Sequence, residues 1–168
     1  MKIRLPDRGV VSIQARPGYY APRAPTKGRA EDAVADEIDD AVQSRDVTTG
    51  IPIDATVQIS RSGAAAPRLY VLAKVHVKPL RFQQLDGRNH AVLTVVSVVF
   101  DQDGGYVVGS RNTVKLTLRN ETLAGKDDPT VRVQSNYQVK PASYLVRVVV
   151  CDSEGNDLST RNFSVVVR

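Results

Sequence analysis

Few residues in this sequence could do covalent chemistry. Nucleophilic catalysis needs a nucleophile, a base within hydrogen-bond reach and a third group to orient the base. The lone cysteine, Cys151, stands beside Asp152, whose negative charge raises a thiol pKa and weakens the nucleophile, so Cys151 reads as a structural thiol. Of the two histidines, His76 falls on the outward phase of its segment between Lys74 and Lys78, and His90 lies at the end of a polar connection. Both read as solvated side chains rather than ligands. Asp36, Asp39 and Asp40 could pair for acid/base work only beside a cleft, and helical Asp/Glu faces are ordinarily hydrated. No Gly-x-Ser-x-Gly, Ser-x-x-Lys, His-Glu-x-x-His or Gly-x-x-x-x-Gly-Lys motif occurs. The sequence is that of a non-enzyme: it assigns no catalytic, cofactor-binding or metal-ligating residue, and no cofactor.

Two further patterns invite a chemical reading. Val98-Val-Phe-Asp-Gln-Asp-Gly104 and Val149-Val-Cys-Asp-Ser-Glu-Gly155 repeat a strand, Asp, x, acid, Gly pattern at an offset of 51 residues. Alternating oxygen ligands suit calcium, but a calcium loop needs six to eight oxygens including a further carboxylate at a defined distance. Neither turn supplies them, and a glycine-assisted hairpin turn is the better reading. Asn120-Glu-Thr122 and Asn162-Phe-Ser164 match the glycosylation triplet, a pattern that arises often by chance.

The elements that must position these residues are mostly strands. The chain has 168 residues, enough for one core without disulfide or metal staples. Its apolar runs fall short of the ~20 residues needed to cross a bilayer, and no secretory signal follows Met1. Residues 1–15 read as a hairpin turning at Pro6-Asp-Arg-Gly9, followed by a Pro-rich linker through Pro25. Thr26 is a plausible N-cap for a helix over roughly 27–44, with Ala30, Val34, Ile38, Ala41 and Val42 as its apolar stripe. That stripe suits packing on the fold; docking an outside partner is the second use. From Ile51 the period changes to two. Ile51 to Ile59, Leu69 to Val77, Val92 to Phe100, Tyr106 to Val108, Val114 to Leu118, Val131 to Val139, Tyr144 to Cys151 and Phe163 to Val167 follow, joined by Gly/Asp/Asn turns. Seven or eight strands at ~8–15-residue spacing, with one helix, predict an antiparallel β-sandwich. Val92 to Phe100 is apolar on both faces, as a central strand covered on both sides would be. Tyr144, at a strand start after Lys140-Pro, is either a corner tyrosine bonding back across the turn, which favours an immunoglobulin-like topology, or a core aromatic.

Charge excludes less than it suggests. Seven acids and two bases between Arg29 and Asp46 give a local charge of −5 and leave +10 on the rest. A nucleic-acid surface would cluster those bases. Here Arg68, Lys74, Lys78, Arg81, Arg111, Lys115, Arg119, Arg132 and Arg147 are scattered singly along strands, mostly on the polar phase of an alternation, as a solvated outer face requires. The expected partners are proteins, with no nucleic acid and no membrane insertion. A sugar platform usually exposes flat aromatics, and only Tyr19, Tyr20, Tyr70, Phe82 and Tyr106 are placed to be outside.

Val11-Ser-Ile-Gln-Ala-Arg-Pro-Gly-Tyr-Tyr-Ala-Pro22 resembles the segment that closes the von Willebrand factor type A-related domain in a family of secreted bacterial proteins, chiefly from Acidobacteria. Ile38-Asp-Asp-Ala-Val-Gln-Ser-Arg45, Val77-Lys-Pro-Leu-Arg-Phe82, Leu93-Thr-Val-Val-Ser-Val-Val-Phe-Asp101 and Lys140-Pro-Ala-Ser-Tyr-Leu-Val-Arg-Val148 resemble their C-terminal region. The resemblance implies three parts: residues 1–22 as the terminal hairpin of a preceding type A-like domain, 23–48 as linker and helix, and 49–168 as the sandwich. It implies an extracellular or periplasmic location and a non-catalytic structural or protein-interaction role. The type A metal motif, Asp-x-Ser-x-Ser, is absent, so no metal site carries over. A carbohydrate- or small-ligand-binding sandwich is the alternative, since fold does not fix function. The hairpin's apolar residues (Ile3, Leu5, Val11, Ile13) are expected to lean on the helix and on a second apolar phase of the central strand (Leu93, Val95, Val99), or to pair with another chain.

Overall fold

The computed structural model describes residues 30–61, 66–125, 127–155 and 157–168; the expected hairpin, the Pro-rich linker and the Thr26 cap lie outside them. Its elements are a helix α1 (Ala30–Gln43), strands β1 (Ile53–Ser60), β2 (Arg68–His76), β3 (Gln83–Leu85), β4 (Arg88–Phe100) and β5 (Tyr106–Leu118), a short helix α2 (Asn120–Ala124), and strands β6 (Thr130–Gln138), β7 (Ala142–Asp152) and β8 (Asp157–Val167). The fold is an antiparallel β-sandwich. One sheet runs β1-β2-β6; the other runs β3-β4-β7-β8, with β5 on β4 as well. α2 is a correction to the one-helix expectation: this single turn follows β5 and buries none of its residues, so no apolar stripe announced it.

The sheets meet through one phase of each strand. Leu69, Val71, Ala73 and Val75 of β2 and Val131 and Val133 of β6 pack against Leu93, Val95, Val99, Val114, Leu116, Val146, Val148 and Val150 of the larger sheet. Leu93, Val95 and Val99 therefore face the second sheet and need no cover from elsewhere, contrary to expectation. The opposite phase of the central strands (Val96, Val98, Phe100, Val149, Cys151) is covered by Ile38 and Val42 of α1. The molecule thus has three layers: helix, larger sheet, smaller sheet. This explains why β4 is apolar on both faces, since each face meets its own partner.

Turn chemistry follows the sequence closely. Asp86 and Gly87 both take positive φ (49° and 70°) between β3 and β4, the backbone that a two-residue I′ hairpin demands. At the β4–β5 turn the Asp101 carboxylate accepts the N–H groups of Asp103 (3.0 Å) and Gly105 (2.6 Å). A Cβ on Gly105 would sit 2.6 Å from Asp101 Oδ2. The equivalent Asp152 accepts from Glu154 N–H (3.1 Å) and, across the fold, from Arg81 N–H (2.9 Å). Both repeats are hairpin turns tied by an aspartate. The Tyr144 hydroxyl donates to the Lys140 carbonyl at 2.8 Å while its ring is buried in the core, so features of both readings of this residue are present.

Candidate functional site

His76 ends β2 on the outer face of the smaller sheet, where its partly exposed ring lies between two carboxylates. Nδ1 meets the Asp128 carboxylate, and Nε2 lies 3.3 Å from Asp54 Oδ2. Asp54 is also 3.6 Å from Lys74 Nζ. Only imidazolium carries two N–H donors, so two carboxylates on opposite nitrogens favour the charged ring. The bond to Asp128 is the main cause of a pKa raised above 6.5, opposed by partial burial. The bond from His76 likewise lowers Asp54. With both nitrogens committed, the ring has no lone pair to offer a nucleophile. Alternation alone placed His76 outward correctly; Asp128, 52 residues away, gives no local sequence signal.

Cys151 is buried beneath α1. Burial, then the charges of Glu37 and Asp152, push its thiol up to about 11, so the structural reading stands on more than the neighbour that sequence showed. His90 Nδ1 lies 3.3 Å from Thr117 Oγ1 across the β4–β5 pair. Among the helical acids, Asp39 forms a 3.0 Å ion pair with Arg111 of β5, so part of the opposition between acidic helix and basic strands is satisfied within the chain. The glycosylation-type asparagines are structural anchors: Asn120 Oδ1 accepts from Asn89 Nδ2 (2.6 Å), and Asn162 donates to the Arg45 carbonyl (3.0 Å).

Arg147 corrects the scattered-base reading. It lies on the outer phase of β7, only 2% exposed, where the helix layer covers what strand alternation alone assigns to solvent. Its Nε donates to the Ala41 carbonyl (2.5 Å), Nη1 to Asn162 Oδ1 (2.7 Å) and Nη2 to the Asp46 carbonyl (2.8 Å). Burial pulls its pKa below the usual arginine value. Sequence reading also missed a hydroxyl chain between the sheets. Tyr137 donates to the Ser97 carbonyl (3.0 Å) and lies 2.7 Å from Ser110 Oγ, which lies 2.8 Å from Ser135 Oγ.

Among the described residues, two concave surfaces bear on a site. A groove of about 520 Å³ runs between the first half of α1 and the outer face of β4 and β5, with Val34, Ile38 and Val92 on its apolar side and Thr94, Thr113 and Lys115 on its polar side. A shallower depression of about 310 Å³ lies on the outer face of the smaller sheet around Tyr70, Leu72, Thr56, Gln58 and Gln134. Ser153 and Glu154 also line the groove, but among the described residues no hydrogen bond joins its hydroxyls to Glu154, whose carboxylate accepts from Gln83.

No family model matches the sequence, and no curated protein does. Among solved structures, the chain is similar to Bacteroides uniformis beta-glucuronidase and to a calcium-binding mutant of Bacteroides uniformis beta-glucuronidase 2. Each likeness has 12% identity and a TM-score of 0.46, covering 68% of this chain and 13% of that one. A structural-genomics target, SoR45, aligns at 10% identity and a TM-score of 0.30, covering 70% of this chain and 87% of that one. The chain thus spans about an eighth of the length of the glucuronidases it matches. Among the described residues no helix is long and apolar enough to cross a membrane.

Proposed function

We propose that this chain is a non-catalytic, immunoglobulin-like structural or protein-interaction module of an exported bacterial protein, placed after a von Willebrand factor type A-related domain. The observation that carries the reading is the commitment of its reactive groups to structural bonds. Both nitrogens of His76 are held by carboxylates, Cys151 is buried with a raised pKa, and Arg147 binds backbone carbonyls and an amide. The strand order of the two sheets and the Tyr144 corner bond support the immunoglobulin-like assignment. The test is a hydrolase screen over ester, amide, phosphoester and glycoside substrates, beside fractionation of the native bacterium. No turnover above blank, with the chain outside the cytoplasm, is the expected result; turnover that disappears in His76→Gln would overturn it.

The second reading is a carbohydrate- or small-ligand-binding module. It is favoured by the Tyr70 depression, where an aromatic ring shares a concave sheet face with neutral polar side chains.

A further inference from the structure

Strand register arranges the outer face of the smaller sheet in cross-strand rows. Asp54, Lys74 and Arg132 form one; Thr56, Leu72 and Gln134 the next; Gln58, Tyr70 and Asn136 the third; Ser60, Arg68 and Gln138 the fourth. The two middle rows carry no charge, and charged residues stand in the rows on either side. An outer sheet face kept soluble by charge alone would not leave its centre neutral.

That neutral centre is also unused by the fold. Thr56, Gln58, Gln134 and Asn136 are exposed. No side-chain hydrogen bond among the described residues engages them or the Tyr70 hydroxyl, whereas Asn89, Asn112 and Asn162 all have partners. Each amide offers both donors and an acceptor. With strands ~4.8 Å apart and alternate residues ~6.6 Å apart along them, the two rows span about 10 by 7 Å, a footprint for one sugar ring over Tyr70 with amides at its rim. Hydroxyl-bearing ligands fit amides that can both give and take hydrogen bonds, and the apolar C–H face of a pyranose fits Tyr70 and Leu72. A charged ligand finds no countercharge in these rows. A protein partner finds too small an apolar centre for a hot spot.

We propose that the Tyr70 depression binds a neutral saccharide chain, with Tyr70 as stacking platform and Gln58, Gln134 and Asn136 as its hydrogen-bonding rim. This deepens the second reading above and rests on it.

Affinity electrophoresis of the whole chain, in gels cast with a soluble β-glucan, a xylan, a galactomannan or polygalacturonate, tests it. Retardation by at least one neutral polymer is expected. Affinity should fall at least about tenfold in Tyr70→Ala and similarly in the double variant Gln134→Ala, Asn136→Ala, whose residues are exposed and leave the core untouched. Tyr106→Ala, on the other sheet, should bind as the parent does. Retardation by polygalacturonate alone is ion exchange by a basic chain and would overturn the proposal. So would the absence of any retardation, or retardation unchanged in the double variant. Release of reducing ends in a gel that retards the chain would instead overturn the non-catalytic reading and leave this site standing.

Discussion

Arg147, on the central strand β7, donates through Nε to the carbonyl of Ala41 in the last turn of α1. The last four carbonyls of a helix have no partner within it. This guanidinium supplies one from below while holding the Asp46 carbonyl and Asn162 with its other nitrogens. It thus fastens the helix layer to the sheet at the point where the chain leaves the helix.

Arg147→Ala should cost on the order of 2 kcal/mol, because partly buried carbonyls lose a charged donor and a void opens beneath the helix. Arg147→Lys should recover only part, since one ammonium cannot reproduce the three-way fork. Urea unfolding measures both; a loss under about 0.5 kcal/mol, the range of neutral surface substitutions, would show that the anchor is idle.

His76 makes stability depend on pH in a definite direction. Its folded pKa is raised above the unfolded 6.5, so its contribution is complete below about pH 6.5 and fades as pH climbs through the folded value. Asp54 acts oppositely at the acid end: its pKa is lowered below 3.8, and its share disappears as pH falls through that lowered value. Unfolding midpoints between pH 5.5 and 8.5 should therefore decline in the parent more than in His76→Gln, and high salt should shrink the difference because the pairs are partly exposed. Parallel pH curves for the two proteins would refute the assignment.

The sandwich was legible because period two survives wherever a strand has one wet face, as in β1 and β2. The Asp101 and Asp152 turns were legible because an Asp-x-acid-Gly run after an apolar strand suits a tight hairpin. Legibility failed where a third layer intervened. Arg147 lies on the face covered by α1, and alternation within β7 does not say whether a helix lies over it, although β4, apolar on both phases, shows its own double cover. It failed again for His76, whose partners Asp54 and Asp128 come from segments 22 and 52 residues away. The Tyr70 face was visible only as one aromatic on an outer phase; its neutral rows needed the register of three strands.

Cys151 reports on the same helix layer. A buried thiol with a pKa of about 11 should react with a disulfide reagent at neutral pH only through opening of α1. Ile38→Ala, which hollows the helix–sheet contact, should speed labelling by at least roughly tenfold, since large-to-small core changes cost 2 kcal/mol or more and each 1.4 kcal/mol is a factor of ten. Equal rates in parent and variant would mean that the thiol is reached by another route.

Two tyrosine hydroxyls separate a local bond from one that joins layers. Tyr144 bonds to Lys140, four residues back, so Tyr144→Phe loses one partly buried neutral hydrogen bond, worth about 1 kcal/mol. Tyr137 donates to the Ser97 carbonyl across the core. Given that direction, the hydroxyls of Ser97 and Ser110 must donate to its oxygen, and Ser135 to Ser110. Tyr137→Phe therefore deprives the Ser97 carbonyl of its donor and forces the Ser97 and Ser110 hydroxyls to turn to each other, 3.3 Å apart, and to Ser135, in a place water does not readily reach. Its cost should exceed that of Tyr144→Phe by about 1–2 kcal/mol. Because Ser110 belongs to edge strand β5, amide exchange around residues 108–112 should quicken in Tyr137→Phe and stay as in the parent in Tyr144→Phe. Equal losses of stability, with β5 exchange unchanged in both, would show that the hydroxyl chain does not hold β5 to the smaller sheet.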